Sequence, residues 1–203
     1  MIVVGVVGGI ASGKSLVSSH LSTLGAEVID VDQIGHRTLR EADVKRRIFV
    51  RWGKSVLDES GEIDRKKLGN VVFGENVSEL RDLEAITTPR ITEHLVATLE
   101  DLRDRETYVA VVDAAILFKA GWHKHCDVLL FVDTERKLRV SRALDRGWTV
   151  NEFAVREAAQ EPPEVKMAKS GVIIDNNGTI DETYRQTEQF WYSLDDFSSR
   201  SAP

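Results

Sequence analysis

Apolar and polar positions along the chain follow two rhythms. Ile2–Val7 is almost continuously apolar, the pattern of a strand buried on both faces of a sheet. Leu16, Val17, His20, Leu21 and Leu24 then fall at helical spacing, and Gly25 is placed to end that helix. Short β-rich runs recur at Val28–Asp30, Val109–Asp113, Val128–Val132 and Val172–Asp175, the last followed by an Asn177-Gly178 turn signal. Five such runs separated by helical stretches predict an α/β fold with a five-stranded parallel sheet. Two stretches break the rhythm. From His36 to about Arg105 the chain is charged and helix-prone around one loop, WGKSVLDESGEID, and reads as a helical insertion between the second and third strands. From Arg142 to Ser170 it is rich in Arg, Glu and Lys and is interrupted by Pro162-Pro163. With 203 residues and neither internal repeat nor Ser/Gly linker, the expectation is one domain with inserted pieces.

Composition narrows the functional classes. A formal charge of −6 and a pI near 5.5 argue against a general nucleic-acid binder, whose footprint is basic. A polyanionic substrate would need a local basic cluster set against that field. Cys126 is the only cysteine, so no intrachain disulfide forms and a reducing compartment is expected. The apolar opening MIVVGVVGGI lacks a basic start and is broken by Gly5, Gly8 and Gly9, unlike a signal peptide. No apolar run approaches the ~18 residues of a membrane span. The expected location is cytoplasmic, away from membranes.

Gly8-Gly9-Ile10-Ala11-Ser12-Gly13-Lys14-Ser15 fits G-x-x-x-x-G-K-[ST] at every fixed position, after an apolar strand and before an amphipathic helix. Such a P-loop turns its backbone N–H groups inward as an anion nest, and the following helix, with Leu16 in its first turn, aims its positive end at the same phosphates. Lys14 is expected to bridge the β- and γ-phosphates of a nucleoside triphosphate, and the Ser15 hydroxyl to ligate Mg²⁺. Ala11 occupies a position the pattern leaves free and is expected to matter little.

Asp30-Val31-Asp32 ends the second strand, on the edge where open α/β sheets collect ligands. A kinase acting on an alcohol needs a carboxylate there to orient the hydroxyl and take its proton, a role open to Asp32. The alternative is that Asp32 caps a helix starting near Gln33. Arg142 and Arg146, four apart, can share a helix face, either toward a phosphoryl group or as a solvated charged surface. His123-Lys124-His125-Cys126 is read as a solvated loop, because consecutive residues rarely converge on one ion. The aromatic tail, Phe190 to Phe197 with Trp191, Tyr192 and Leu194, is expected to dock the last helix on the core.

These residues resemble one family. GGIASGKS and VIDVDQIGH are similar to the opening motifs of dephospho-CoA kinases, GGIGSGKS and V-I-D-A-D-x-x-A-[RH]. The likeness continues through Gly61-Glu62-Ile63-Asp64-Arg65 with Leu68 and Phe73, then Leu83–Pro89 and Asp113–Trp122. It closes with Arg142, Arg146, Arg156, Gln160 and Lys166 in register and with Ile174–Gly178. The resemblance implies a P-loop NTPase fold, a three-layer α/β/α core over 1–35, 106–141 and 171–203. It implies a substrate-binding insertion over 36–105 and a helical lid over 142–170. It further implies ATP-dependent phosphorylation of the ribose 3′-hydroxyl of dephospho-coenzyme A, with catalytic roles for Lys14, Asp32, Arg142 and Arg146. Asp30, His36, Asp64, Arg65, Thr88 and Lys119 are assigned to substrate by the same likeness. Thr88 stands where the family usually has His, and Lys119 where it has Glu. A different nucleoside or nucleotide kinase of this fold, or a catalytically weak nucleotide-binding relative, are the alternatives.

Overall fold

The computed structural model describes residues 1–73 and 77–200, the side chains of 77 and 195–200 excepted. In chain order it begins with β1 (Ile2–Gly8), α1 (Lys14–Thr23), β2 (Glu27–Asp30), α2 (Val31–Thr38), α3 (Ala42–Trp52), α4 (Arg65–Val72) and α5 (Val77–Asp104). Then come β3 (Val109–Asp113), β4 (Val128–Asp133), α6 (Arg136–Asp145), α7 (Val150–Ala158), α8 (Pro163–Ala168), β5 (Val172–Asp175) and α9 (Ile180–Arg200). The chain divides into two compact units, one made of Met1–Asp30 and Leu99–Pro203, the other of Val31–Thr98.

The first unit is built on a five-stranded sheet in the order β2-β3-β1-β4-β5, parallel throughout. The five runs read from the sequence are these five strands, displaced by at most one residue at an end. Continuous apolarity is explained by burial: Val3, Val4, Val6 and Val7 are all at most 2% exposed. Alternate residues feed opposite faces. On one face Val4, Val6, Val111, Leu130 and Ile174 pack with Val17 and Leu21 of α1 and with Phe190 and Leu194 of α9. The final helix is therefore docked as its pattern suggested, through Phe190, Leu194 and the half-buried Trp191. Tyr192 does not take part: at 68% exposed it lies on the outer side of α9, because its neighbours already fill the inward positions. The Phe197 side chain lies outside the described residues. His123–His125 belong to a short 3-10 turn, Trp122–His125, that leads into β4.

Helix ends follow local chemistry. α1 stops where Gly25, at φ 114°, supplies the left-handed residue after the cap. α7 opens with a reciprocal capping box, Thr149 with Glu152, and α8 opens on Pro163, whose missing N–H costs nothing at a first helical position.

The second unit has its own core of Val44, Ile48, Val56, Leu68, Val72 and Ile86. The WGKSVLDESGEID loop is tied off by a bridge between Leu57 and Ile63, with Asp58 Oδ1 accepting the N–H groups of Ser60 and Glu62 at 2.9 Å each. Pro89 sits inside α5. It cannot donate to the Ala85 carbonyl, and the Arg47 guanidinium approaches that oxygen (3.5 Å) and the Ile86 carbonyl (3.4 Å) instead. α2 begins at Val31, not near Gln33, so Asp32 lies inside the first helical turn and is not the cap. Its charge there suits the positive end of the helix. Among the described residues no helix is long and apolar enough to cross a membrane.

Candidate active site

The loop Gly8–Ser15 leaves the carboxyl end of β1, the central strand, and enters α1 at Lys14. An anion nest works only if the carbonyls of the loop are held outward while its N–H groups stay free. The structure supplies that restraint from the residues that follow β4. Lys166 Nζ donates to the Gly8 carbonyl at 3.1 Å, and Arg139 Nη1 reaches the Ile10 carbonyl at 3.5 Å. The Ser12 carbonyl accepts from Asn176 Nδ2 (2.7 Å), Thr134 Oγ1 (2.8 Å) and Arg142 Nη1 (3.3 Å). Lys14 Nζ lies 3.5 Å from the Gly9 carbonyl. Ser12 Oγ is buried and has no hydrogen-bond partner among the described residues, a donor left for a ligand in a loop where an unmet polar group costs about 1–3 kcal/mol.

The glycines are required by this bracing. Gly13 has φ 94°, and a Cβ on it would run into the Asn176 amide. A Cβ on Gly9 would come within 2.9 Å of Arg139 Nη1. Ala11 corrects the sequence reading, because its position is not free. Its φ is 59°, in the left-handed region, where an L residue carries about 1–2 kcal/mol of strain. Its methyl is nevertheless buried, packed with Ala143 of α6 and Phe153 of α7, which offsets about 0.8 kcal/mol. Ala11→Gly should accordingly change unfolding free energy by less than about 1 kcal/mol, strain relief and lost packing nearly cancelling. Ala11→Val should cost about 3 kcal/mol, because a β-branched residue is an outlier at positive φ and has no room beside Phe153. Denaturant titration of the two variants checks both.

Carboxylates line the same edge of the sheet. Asp30 ends β2 in register with Asp113, which ends β3 beside β1. Asp113 Oδ2 accepts from Ser18 Oγ at 2.9 Å. Ser15 stands one turn before Ser18 on α1 and is exposed. Sequence reasoning placed Asp113 at a strand end and in a family-like motif but gave it no role in the site. An apolar run closing on Asp, next to the strand that carries a P-loop, was the available signal.

Arg142 occupies the last turn of α6, and Arg146 caps that helix. Arg142 is half-buried, its Nη2 donating to the Asn176 carbonyl at 2.9 Å. Burial, and then the nearby Arg146 charge, hold its guanidinium below the usual arginine range. Arg142 thus lies against the phosphate loop, and for it the reading as a solvated surface fails; Arg146 is exposed, near enough for its charge to act on Arg142. Lys119 is exposed and lines a crevice with Gly8, Ala115, Gln160, Glu161 and Lys166.

In the second unit, Asp32 and His36 are one turn apart on the exposed side of α2, opposite Val31, Ile34 and Thr38. Asp64 caps α4, its Oδ1 accepting the N–H groups of Lys66 (2.9 Å) and Lys67 (3.0 Å), with Arg65 exposed beside it. Thr88 is half-buried in α5, and its carbonyl accepts Thr92 Oγ1 at 2.8 Å.

Sequence reasoning also missed Arg139 and did not count Lys166 among the site residues. Both are about 5% exposed, and a cation in a charged stretch cannot be recognised as buried from its neighbours alone. Arg139 is paired to Glu157 Oε1 at 2.7 Å and lies over the Phe153 ring.

Comparison with known proteins shows the family and the fold. The family model for dephospho-CoA kinase matches residues 2–182. A dephospho-CoA kinase of Geobacter sulfurreducens is 41% identical over 193 residues, 94% of this chain and 98% of its own. Among solved structures, the dephospho-CoA kinase of Campylobacter jejuni superposes with a TM-score of 0.72 at 25% identity, covering 97% of this chain and 98% of that one. TT1252 of Thermus thermophilus does so with a TM-score of 0.80 at 28% identity, covering 95% and 97%.

Proposed function

The chain belongs to the dephospho-CoA kinase family, and from that premise we propose how its residues divide the work of phosphorylating dephospho-coenzyme A. The reaction moves the γ-phosphate of ATP to the ribose 3′-hydroxyl of dephospho-coenzyme A, the last step of coenzyme A synthesis. The observation that carries this reading is the braced Gly8–Ser15 loop, with carbonyls tied outward and two cations of α6, Arg139 and Arg142, against it.

The loop N–H groups and Lys14 hold the β- and γ-phosphates. Arg142 and Arg146 meet the charge that develops on the transferring phosphoryl group, where fixed cations contribute most. Asp32, two residues along the chain from the end of β2, orients the acceptor hydroxyl and takes its proton. His36, one turn on, Asp30, Arg65, Thr88 and Lys119 contact the acceptor. Asp64 does so through its second carboxylate oxygen, since Oδ1 is engaged in the cap. Mg²⁺ fits the hard oxygen donors of Ser15 and Asp113, and when bound it neutralises phosphate charge. The location that agrees with the single cysteine is the cytoplasm.

The segment 142–170 acts as a lid, excluding water as it closes over ATP. Backbone hydrogen exchange across 142–166 should slow when ATP is added to the protein. Unchanged exchange there would remove the lid from the account. The function itself is tested by a coupled assay of ADP release with dephospho-coenzyme A as acceptor and adenosine and AMP as controls. Turnover is expected with the first alone. Equal or better turnover with adenosine or AMP would favour a nucleoside or nucleotide kinase.

A further inference from the structure

Lys166 is an unusual place for a charge. Only 4% of its surface is exposed, yet among the described residues no carboxylate forms an ion pair with its ammonium. Its two hydrogen-bond partners are neutral, the Gly8 carbonyl at 3.1 Å and Gln160 Oε1 at 2.9 Å. An ammonium has three donors, so one remains beyond those two. The charged groups around it are mostly cations: Lys14 on α1, Arg139 on α6, and Lys119 on the wall of the same crevice. Among the described residues the anion acting on it is Glu161, whose Oε1 lies 2.7 Å from Lys169 Nζ and whose Oε2 is buried without a hydrogen-bond partner. Glu157, farther along α7, is taken by Arg139 and Arg136. A buried cation among cations is costly unless an anion arrives.

We propose that Lys166 is a positioning residue of the phosphate loop that also shares the charge of a bound triphosphate, so that nucleotide binding draws a proton onto it. The inference rests on the reading of Gly8–Ser15 as an ATP site, and not on the identity of the acceptor. In the free protein the side chain holds the Gly8 carbonyl outward, and even a neutral amine, with two N–H groups, can keep both of its bonds. The third N–H, present only in the protonated form, is the one a phosphate oxygen would take. Burial first, and then the charge of Lys14, pull its pKa from 10.5 to about 8. Below pH ~8 the folded chain carries this charge at a cost. Between about 8 and 10.5 it binds fewer protons than the unfolded chain, so the group's contribution to stability rises with pH across that window. A triphosphate placed against the ammonium reverses the shift, because an adjacent anion favours the charged form.

The test uses ATP alone, without acceptor, in calorimetric titrations at pH 8.5 in two buffers of different ionisation heat. ATP is fully ionised there, its last phosphate pKa lying near 6 to 7, so proton uptake reports the protein. The parent should take up on the order of half a proton per site. Lys166→Met should abolish the uptake and weaken ATP binding by about 10- to 100-fold. Lys166→Arg keeps the charge at all accessible pH. It should bind ATP within several-fold of the parent, with no uptake, and it keeps the test alive should the Met variant not fold. A merely structural lysine predicts otherwise, with lowered thermal stability in the variants but proton uptake as in the parent. Uptake that survives in either variant, or is missing in the parent, overturns the proposal. Because dephospho-coenzyme A is absent, a failure of the acceptor assignment leaves this result readable, and uptake without transfer would separate the two.

Discussion

Asp32→Asn is expected to lose about 10²- to 10⁴-fold in kcat while ATP binds as before. Removal of a general base typically costs that much, and the triphosphate is held by Gly8–Ser15, of which Asp32 is no part. Asparagine keeps the size and shape of the side chain and removes the basic oxygen. The competing role, a helix cap, is no longer available, since α2 starts at Val31 and Asp32 lies within it. What a structural Asp32 would still supply is a charge in the first turn of α2, and its loss would cost about 0.3–1 kcal/mol of stability. The two roles therefore separate on different instruments. A catalytic Asp32 shows in kcat with little change in melting temperature. A structural one shows in melting temperature with kcat intact, and that outcome would remove Asp32 from the mechanism.

Lys14→Ala should lower kcat by about 100-fold or more. The lost contact is an ammonium on a phosphoryl group, worth about 3 kcal/mol in a water-excluded site. The fold should survive, because the side chain is only half-buried at the first position of α1 and belongs to no apolar cluster. Circular dichroism and melting temperature should match the parent. Retention of more than about a tenth of the parent kcat would contradict the role given to Lys14.

Much of the fold was legible because burial writes directly into a parallel sheet. Val109–Asp113 and Val172–Asp175 could be delimited at both ends, each an apolar run closed by a carboxylate at the strand terminus. The phosphate loop was legible because its glycines sit at close contacts and unusual backbone angles, Gly13 at φ 94° against Asn176 being the clearest. Other features depend on partners distant in sequence. Ala11 looked free, since the Ala143 and Phe153 packing that constrains it comes from residues over a hundred positions away and the pattern does not show its left-handed backbone. Arg139 and Lys166 looked like solvated charge, because nothing local says that one will meet Ile10 and the other Gly8. Asp64 illustrates the reverse case. Its capping role is local, and Asp followed by a helical stretch is a signal the sequence carried in full. Tyr192 shows the limit of reading a tail by composition, because only the helical phase of α9 decides which aromatic turns inward.

The central claim is that the terminal phosphate of ATP reaches one particular hydroxyl. The protein should be incubated with γ-labelled ATP and dephospho-coenzyme A, and the position of the label in the product read by phosphorus NMR. The account predicts stoichiometric label on the ribose 3′-oxygen, giving coenzyme A, and none there with Asp32→Asn over the same interval. Label released only as inorganic phosphate, or carried on an acceptor other than dephospho-coenzyme A, would contradict it.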